Sequence, residues 1–388
     1  MRHGFKVFDS DGHVVYPRDI WERFLDEKYK HRVGWREVPG REAYRPATVD
    51  GRYTQTRVTI HGDHMEAVNW TYDNMREKYG ADVVDNGFPG DAVARAMEPE
   101  GIDIMVVYGP EYDMWIDGID PELQAAMARA YGRWGEEMRE TSGGKVLAAF
   151  PVPLNDIGRA VDEIRYAYEN FGIRAFWARP NPFNHRTLGD KYYDPIYEAI
   201  QDLDCSFATH DFMGLNGPSA GKDRFESFTE WHTVEHPHEA QMAMLSMICN
   251  GTFERFPRLR CAYMEANCSW VQWWLWRMEE HLELSGAYEK PECTKSAREY
   301  FKRNCWVSVE PDEYLVYQTI EELGDDRIVW ESDFPHPDSK YPNSVQTFLD
   351  LPKLSDESKR KILWDNTVDL YRFPESYLPS EFEEAVPA

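Results

Sequence analysis

The chain is short of positive charge and lacks long apolar runs. Its 388 residues include 43 Lys and Arg against 69 Asp and Glu, which gives a net charge of −26. Phosphate backbones and anionic membranes should repel such a protein. No apolar stretch approaches the ~18 residues of a membrane-spanning helix, and the first residues leave no room for a signal peptide. We therefore expect a cytoplasmic protein that binds neither nucleic acid nor membranes.

Paired cysteines and nucleotide-binding motifs are also missing. The six cysteines form no C-x-x-C pair and stand in otherwise apolar stretches, which is typical of buried free thiols in a cytosolic protein. No G-x-G-x-x-G motif follows the first predicted strand, which disfavours a doubly wound, dinucleotide-binding sheet. The sequence also has no flavin or iron–sulfur motif.

Short apolar runs alternate with amphipathic patterns along most of the chain. The predicted strands are Phe5–Phe8, Ile102–Tyr108, Val146–Phe150, Ile173–Ala178, Cys205–Thr209, Leu259–Met264, Cys305–Val309 and Arg327–Glu331. The predicted helices are Pro121–Glu140, Asp156–Asn170, Tyr193–Asp202, Glu239–Phe253, Trp270–Leu284, Pro311–Leu323 and Asp356–Tyr371. Strict alternation predicts a parallel sheet with right-handed crossovers, and eight repeats close it into a (β/α)₈ TIM barrel. A doubly wound open sheet is the competing fold.

The whole chain, 1–388, is predicted to be one barrel domain with two insertions. Residues 17–95 follow strand one and are expected to cover the barrel mouth, and residues 211–237 follow strand five. Both insertions leave C-terminal strand ends, where loops of this fold build the active site. Residues 374–388, rich in proline and glutamate, should form an irregular C-terminal arm.

Side chains that bind metals cluster just past several predicted strand ends. They are Asp11, His13, His210, Glu265, Asp333 and His336. Each alone could be a turn residue, a core histidine, a helix cap or half of an ion pair. All of them at the C-terminal ends of strands one, five, six and eight would instead converge on the barrel axis. The sequence therefore predicts a site for a divalent transition metal, and carboxylate with imidazole suits iron, manganese or zinc.

Four segments resemble the amidohydrolase-related family, in the branch that includes aminocarboxymuconate-semialdehyde decarboxylase. They are Phe-Asp-Ser-Asp-Gly-His-Val-Val-Tyr-Pro at 8–17, Arg-Pro-Asn-Pro at 179–182, Asn-Gly-Thr-Phe-Glu-Arg-Phe-Pro-Arg-Leu at 250–259 and Glu-Ser-Asp-Phe-Pro-His-Pro-Asp at 331–338. In that family an H-x-H pair, a His after strand five and an Asp after strand eight hold one divalent metal. The resemblance thus implies a ligand set of Asp11, His13, His210 and Asp333.

The chain departs from this family pattern at two positions. Asp11 replaces the first His of H-x-H, and Glu265 stands where the decarboxylases have a catalytic His. A carboxylate can bridge two ions, and His336 could reach a second one, so one or two ions are possible. The bridging lysine of dinuclear amidohydrolases has no counterpart after strand four, where Arg179 stands instead.

These departures favour three hypotheses for function. The first is an O₂-activating dinuclear non-haem iron or iron/manganese monooxygenase, a type found among members of this branch, that hydroxylates a small or medium organic substrate. It would need an electron-transfer partner, either a reductase or a ferredoxin. The second is a mononuclear hydrolase or non-oxidative decarboxylase of a carboxylic acid, with Asp333 or Glu265 as general base. The third is a supporting subunit with a structural metal.

Three further features bear on substrate and partners. Arg179 could clamp a substrate carboxylate, with an ion pair to an acid at the barrel mouth as the alternative. His232, His236 and His238 flank a predicted helix start, where capping and packing are the alternatives to a place in the site. The run Trp270–Trp276 is apolar on more than one helix face, which predicts a homo- or hetero-oligomer interface.

Overall fold

The computed structural model describes residues 1–15, 17, 19–35, 47–53, 73–109, 114–211 and 217–379. Its centre is a (β/α)₈ barrel of eight parallel strands: β1 Phe8–His13, β2 Ile104–Tyr108, β3 in two pieces Val146–Ala148 and Phe150–Pro151, β4 Ala175–Ala178, β5 Ser206–Thr209, β6 Arg260–Tyr263, β7 Cys305–Val309 and β8 Ile328–Trp330. Each strand pairs with the next in parallel, with β3 split at Ala149. This confirms the predicted fold class.

Hydrogen bonds between β1 and the segment around β8 close the barrel. Ser10 Oγ donates to the carbonyl of Trp330 at 2.8 Å, and the amide of Asp333 donates to the carbonyl of Asp11 at 3.3 Å. The buried carboxylate of Asp9 accepts from the amide of Ser332 at 3.0 Å. These bonds hold the polar ends of β1 and β8 side by side.

One main helix follows each strand. These helices are α1 Gly90–Glu100, α2 Pro121–Thr141, α3 Ile157–Phe171, α4 Asp194–Asp202, α5 Phe228–Cys249, α6 Val271–Glu289, α7 Val316–Leu323 and α8 Asn366–Tyr371. Additional helices are Ile20–Phe24, Ala81–Asp85, Thr252–Arg255, Ala297–Asn304, Ser344–Leu349 and Asp356–Arg360, and short 3₁₀ helices are Glu27–Arg32, Lys191–Tyr193 and Glu375–Tyr377. Asp120, Asp156 and Ser227 cap the amide ends of α2, α3 and α5 with their side chains.

Several predicted boundaries are wrong. The first strand was predicted as Phe5–Phe8, but β1 runs from Phe8 to His13, because the polar residues Asp9, Ser10 and Asp11, which are typical of a loop, lie buried within the strand. α5 starts at Phe228, eleven residues before the predicted start at Glu239. Ser227 caps the helix there, and the helix continues through Pro237. α6 ends at Glu289 and not at Leu284. Two further differences lie at α7 and α8.

α7 starts at Val316 and not at Pro311. The turn before it is occupied by Glu313, whose carboxylate accepts from the amides of Cys268 and Ser269, just before the start of α6. The predicted helix over residues 356–371 is interrupted by a π-helical turn, Lys361–Asp365, that separates Asp356–Arg360 from α8.

Parts of both insertions and of the C-terminal arm lie outside the described residues. The described part of 17–95 forms a three-stranded antiparallel sheet, Val33–Trp35, Ala47–Val49 and Arg52–Tyr53, with the helices Ile20–Phe24 and Ala81–Asp85. In the arm, Leu378 is buried, and residues 380–388 are not described. That 17–95 covers the barrel mouth, and that 1–388 is one domain, stay predictions. None of the described helices combines the length and apolarity that a membrane crossing requires.

Candidate metal centre

Asp11 and His13 lie two residues apart on β1, so their side chains point to the same side of the strand. Both are buried. Asp11 Oδ2 lies 3.2 Å from His210 Nε2, and Asp11 Oδ1 lies 3.6 Å from His13 Nε2. His210 follows β5 on the far side of the barrel. The barrel therefore brings together ligands that the sequence separates by about two hundred positions.

Glu265 and Asp333 complete the group from the ends of β6 and β8. Glu265 Oε2 lies 2.8 Å from His210 Nε2 and 3.4 Å from His13 Nε2, and Asp333 Oδ1 lies 3.3 Å from His13 Nε2. Both residues have left-handed backbones, with φ of 47° and 52°. Such conformations cost on the order of 1–3 kcal/mol and recur at functional sites, although in this chain they also occur at helix ends such as Lys290 and Arg372.

Backbone carbonyls orient the two central imidazoles. His13 Nδ1 lies 3.1 Å from the carbonyl of Tyr108, and His210 Nδ1 lies 2.8 Å from the carbonyl of Asp211. A carbonyl only accepts, so Nδ1 donates in both rings and Nε2 faces the shared carboxylates. In the neutral ring this leaves the Nε2 lone pair for a metal, which is the usual arrangement of metal-binding histidines.

The centre concentrates negative charge in a buried space. Burial opposes protonation of His13, but the surrounding carboxylates, Asp11 foremost, raise its pKa well above the ordinary value. For His210, burial is likewise outweighed by Asp11 and Glu265, and the pKa rises to about 10. Burial raises the pKa of Asp11 itself. Cations are thus strongly favoured between these carboxylates, whether as protons on imidazole or as a metal ion.

The donor atoms fit a divalent ion. The ligand atoms of Asp11, His13 and His210 lie within 4.8 Å of one another, and so do those of a second set, His13, Glu265, Asp333 and His336. Both carboxylate oxygens of Asp11 are buried and face imidazole nitrogens, Oδ2 at 3.2 Å from His210 Nε2 and Oδ1 at 3.6 Å from His13 Nε2. Buried oxygens of this kind need a cation or a donor. All six predicted ligands therefore converge, and the two sets share His13.

His336 occupies the more accessible edge of this group. Its Nδ1 lies 2.6 Å from Asp333 Oδ1, and its ring stacks on that of His13 with centroids 4.4 Å apart. Burial opposes protonation of His336, but Asp333 outweighs it and raises its pKa. The same contact holds the pKa of Asp333 below its ordinary value despite burial. Asp333 and His336 can therefore share a proton at the edge of the predicted metal-ligand group.

Two residues that contact Glu265 were not assigned to the candidate centre from the sequence. His236, within α5, places Nε2 3.4 Å from Glu265 Oε1, and burial lowers its pKa to about 4, so it is a neutral donor or ligand. Glu331 accepts from the amide of Glu265 at 3.1 Å and so supports its strained backbone. The Glu-Ser-Asp motif at 331–333 was the available signal for Glu331. Neither His232 nor His238 shares the contact of His236 with Glu265.

Arg179 is fully buried after β4. Its guanidinium donates to the carbonyl of Trp115 at 3.3 Å and to the carbonyl of Pro182 at 3.0 Å. A Cβ on Gly217 would come within 2.6 Å of the same guanidinium, which shows how closely the chain packs on it. These contacts tie together loops at the barrel mouth. A role in binding a substrate carboxylate stays a prediction.

Comparison with known families places the chain in a defined class of enzymes. The model of the amidohydrolase family matches residues 113–373, about two thirds of the chain, so the protein belongs to that family. The resemblance inferred from the four sequence segments is confirmed. The chain is therefore an amidohydrolase-fold enzyme with a candidate site for a divalent metal.

Relatives of narrower function include decarboxylases. A 2-amino-3-carboxymuconate-6-semialdehyde decarboxylase of Dictyostelium discoideum is 23% identical over 234 residues, covering 58% of this chain; the match spans 61% of that relative. An amidohydrolase from Mycobacterium avium subsp. paratuberculosis K-10 superposes with a TM-score of 0.72 at 20% identity, over 95% of this chain and 99% of its own.

A second solved structure is a dihydroxybenzoic acid decarboxylase from Polaromonas sp. JS666 with bound manganese and the inhibitor 2-nitroresorcinol. It superposes with a TM-score of 0.67 at 15% identity, over 95% of this chain and 97% of its own. At such identities the structures establish the fold. Together the relatives favour the decarboxylase alternative over the monooxygenase, which stays a prediction.

Proposed function

We propose that this protein is a metal-dependent, non-oxidative decarboxylase of an organic acid, in the first instance a hydroxylated aromatic or unsaturated one. The observation that carries the proposal is the convergence of Asp11, His13, His210 and Asp333 at one end of an amidohydrolase barrel. Decarboxylases among the relatives support the reaction type.

These four residues would hold the ion, as in the family pattern. When bound, a divalent ion would offset the negative charge of the substrate carboxylate and of the electron-rich group next to it. Manganese is our first candidate because the Polaromonas decarboxylase carries it. Iron and zinc are the alternatives, since carboxylate and imidazole ligands suit all three.

In the proposed reaction, the residues of the chain supply one proton to the substrate. In decarboxylation the bond between the carboxyl carbon and its neighbour breaks, CO₂ leaves, and the neighbouring carbon takes up a proton. His336, whose Nδ1 lies 2.6 Å from Asp333 Oδ1, can hold that proton, and its side chain is 30% exposed. We assign His336 as the proton donor, oriented by Asp333, with Glu265 placing His210 through its 2.8 Å contact.

The test is CO₂ release from a panel of dihydroxybenzoates and from aminocarboxymuconate semialdehyde, with manganese-loaded protein, in air and without oxygen. We expect turnover that is equal in both atmospheres and needs no reductant. The matched variant is His336→Gln, which should reduce turnover by about 10²–10⁴-fold if it removes the proton donor. Turnover that requires O₂ and a reductant would refute the proposal. Inert protein with tightly bound metal would favour a supporting subunit.

A dinuclear monooxygenase is the second candidate, and Glu265 is the observation that favours it. Its two carboxylate oxygens face different histidines, with Oε2 2.8 Å from His210 Nε2 and Oε1 3.4 Å from His236 Nε2. A carboxylate placed between two sets of ligands suits a bridge between two ions. His236, Asp333 and His336 would then serve the second ion, and an electron-transfer partner would be needed.

Elemental analysis of Glu265→Gln separates the two candidates. In a dinuclear site the variant should fall from two ions per chain toward one and lose O₂-dependent turnover. In a mononuclear site it should keep one ion. Glu239→Gln is the control, because Glu239 is a buried carboxylate outside the metal-ligand sets. One ion in both wild type and Glu265→Gln would exclude the monooxygenase.

A further inference from the structure

The outward face of α6 carries a cluster of large exposed apolar side chains. In the described part of the chain as a whole, the large exposed apolar and aromatic side chains are Met1, Met242, Trp273, Trp276, Leu284, Tyr288 and Tyr314. Four of these seven lie on α6. Trp273 and Trp276 are 52% and 45% exposed. Single exposed apolar residues are ordinary, but a cluster that includes two tryptophans marks an interaction site.

The cluster forms one stripe along the helix. Trp273, Trp276, Glu280, Leu284 and Tyr288 follow at spacings of three and four residues, so they share one face. The opposite face, with Val271, Leu275 and Met278, is buried against the barrel.

The stripe extends onto the neighbouring helix. Trp274 Nε1 donates to the carbonyl of Gln241 on α5 at 2.9 Å, and Met242, 45% exposed, follows Gln241 directly. Trp274 thus joins α6 to α5, and the stripe stands on two packed helices and not on a loop. Such preorganised aromatic side chains lose little conformational entropy on binding.

We propose that this stripe is the interface of a two-fold symmetric dimer, in which α6 packs antiparallel on α6 of a second copy. Arg277 and Glu280 lie on the exposed face near its middle, and neither forms an ion pair with another described residue. In an antiparallel pair centred between them, Arg277 of each copy meets Glu280 of the other. The same alignment sets Trp273 opposite Leu284.

The arrangement of charges on the stripe and the area it can bury both favour a second copy of this chain as its partner. A two-fold contact requires that one patch carry both halves of every interaction, and this stripe has its cation beside its anion and its tryptophans at the other end from Leu284. The apolar side chains of the stripe are Met242, Trp273, Trp276, Leu284 and Tyr288. Their full burial would remove roughly 600 Å² of accessible surface per copy, or about 1,200 Å² in total, which is the lower bound of a stable interface. The net charge of −26 opposes association at long range but is screened at physiological salt.

Sedimentation velocity between about 1 and 100 μM tests the proposal with a charge-swap series. We expect twice the chain mass for wild type, and at least a tenfold weaker dimer for Arg277→Glu and for Glu280→Arg. The double variant should regain the dimer, because both ion pairs reform with reversed sign. Arg258→Glu is the control: it makes the same charge change at an exposed ion pair with Asp202.

Folding is monitored by circular dichroism, so a misfolded variant is recognised. Trp273→Ser supplies a second, uncharged disruption and should also yield single chains. Wild type that keeps the single-chain mass at 100 μM would overturn the proposal. So would a dimer that persists in Trp273→Ser and in both single charge reversals.

Discussion

Gly12 and Met105 are in contact between the first two barrel strands, and a Cβ atom on Gly12 would lie only 2.6 Å from Met105 Sδ. Gly12 stands between Asp11 and His13, at an irregularity in the pairing of β1 with β2. Both strands are fully buried, so a displaced backbone has little room to relax. The absence of a side chain at position 12 therefore lets β1 lie close to Met105 beside two predicted metal ligands.

Gly12→Ala should destabilise the protein by about 1–3 kcal/mol through overpacking, and should lower metal content. Thermal unfolding and elemental analysis measure the two effects. The control is the same change in a Met105→Ala background, where the space is available and the added cost should nearly vanish. An equal cost in both backgrounds would show that the contact with Met105 is not the cause.

The second prediction concerns the ion itself. Manganese should raise the midpoint of thermal unfolding, since it binds the folded site and relieves the repulsion among its carboxylates. The expected stabilisation is about 2.7 kcal/mol at a hundredfold excess over the dissociation constant, and a chelator should reverse it. His210→Gln should abolish the shift. His31→Gln, at an exposed histidine of the 3₁₀ helix Glu27–Arg32, should keep it.

Much of this site could be predicted because strand ends of a parallel barrel converge. His210 and Asp333 each follow an apolar strand, and that position alone placed them near Asp11 and His13. His236 could not be placed in the same way. It lies in the middle of a 22-residue helix whose rotation depends on its packing, which local sequence does not encode.

The extension of β1 beyond Phe8 was missed for a related reason. Asp9 and Ser10 are polar, yet they are buried because their hydrogen-bond partners, Ser332 and Trp330, arrive from the other end of the chain. Periodicity within a short window cannot reveal such partners. The buried polar residues of this barrel therefore look like loop residues in sequence.

Cysteine reactivity gives the third prediction. The thiol of Cys249 donates to Cys293 and lowers the pKa of Cys293 to about 7, whereas burial raises the pKa values of Cys205 and Cys261 to about 12. Iodoacetamide should therefore modify Cys293 first, with a rate that rises as pH passes through about 7, where the thiolate forms.

Mass spectrometry after brief alkylation at pH 6 and pH 8.5 measures this selectivity. Cys249→Ala removes the donating thiol, so the rise in rate should move to higher pH. Cys293 is half-buried, so its labelling should be slower than that of a free thiol but faster than that of the buried cysteines. Equal labelling of Cys293 and Cys205 at pH 8.5 would contradict the assignment.

The last prediction concerns Glu239, which is buried on α5 near Asp211. Its Oε1 accepts from the amide of Ala220 at 2.6 Å, while burial and Asp211 raise its pKa to about 8. Between about pH 4.5 and 8 the unfolded chain loses this proton and the folded protein keeps it, so the folded state binds more protons and stability falls as pH rises. Above about pH 8 the folded protein carries the full free-energy cost of burying the ionised Glu239 carboxylate.

Glu239→Gln keeps the acceptor for Ala220 but cannot ionise, so it removes that cost. We expect it to stabilise the protein by roughly 2 kcal/mol at pH 8.5 and to have little effect at pH 5. Thermal unfolding at the two pH values measures the difference, with Glu169→Gln, at an exposed position of α3, as the control for loss of one surface charge. A larger gain at pH 5 than at pH 8.5 would mean that Glu239 is ionised in the folded protein at neutral pH, held so by the nearby Arg179.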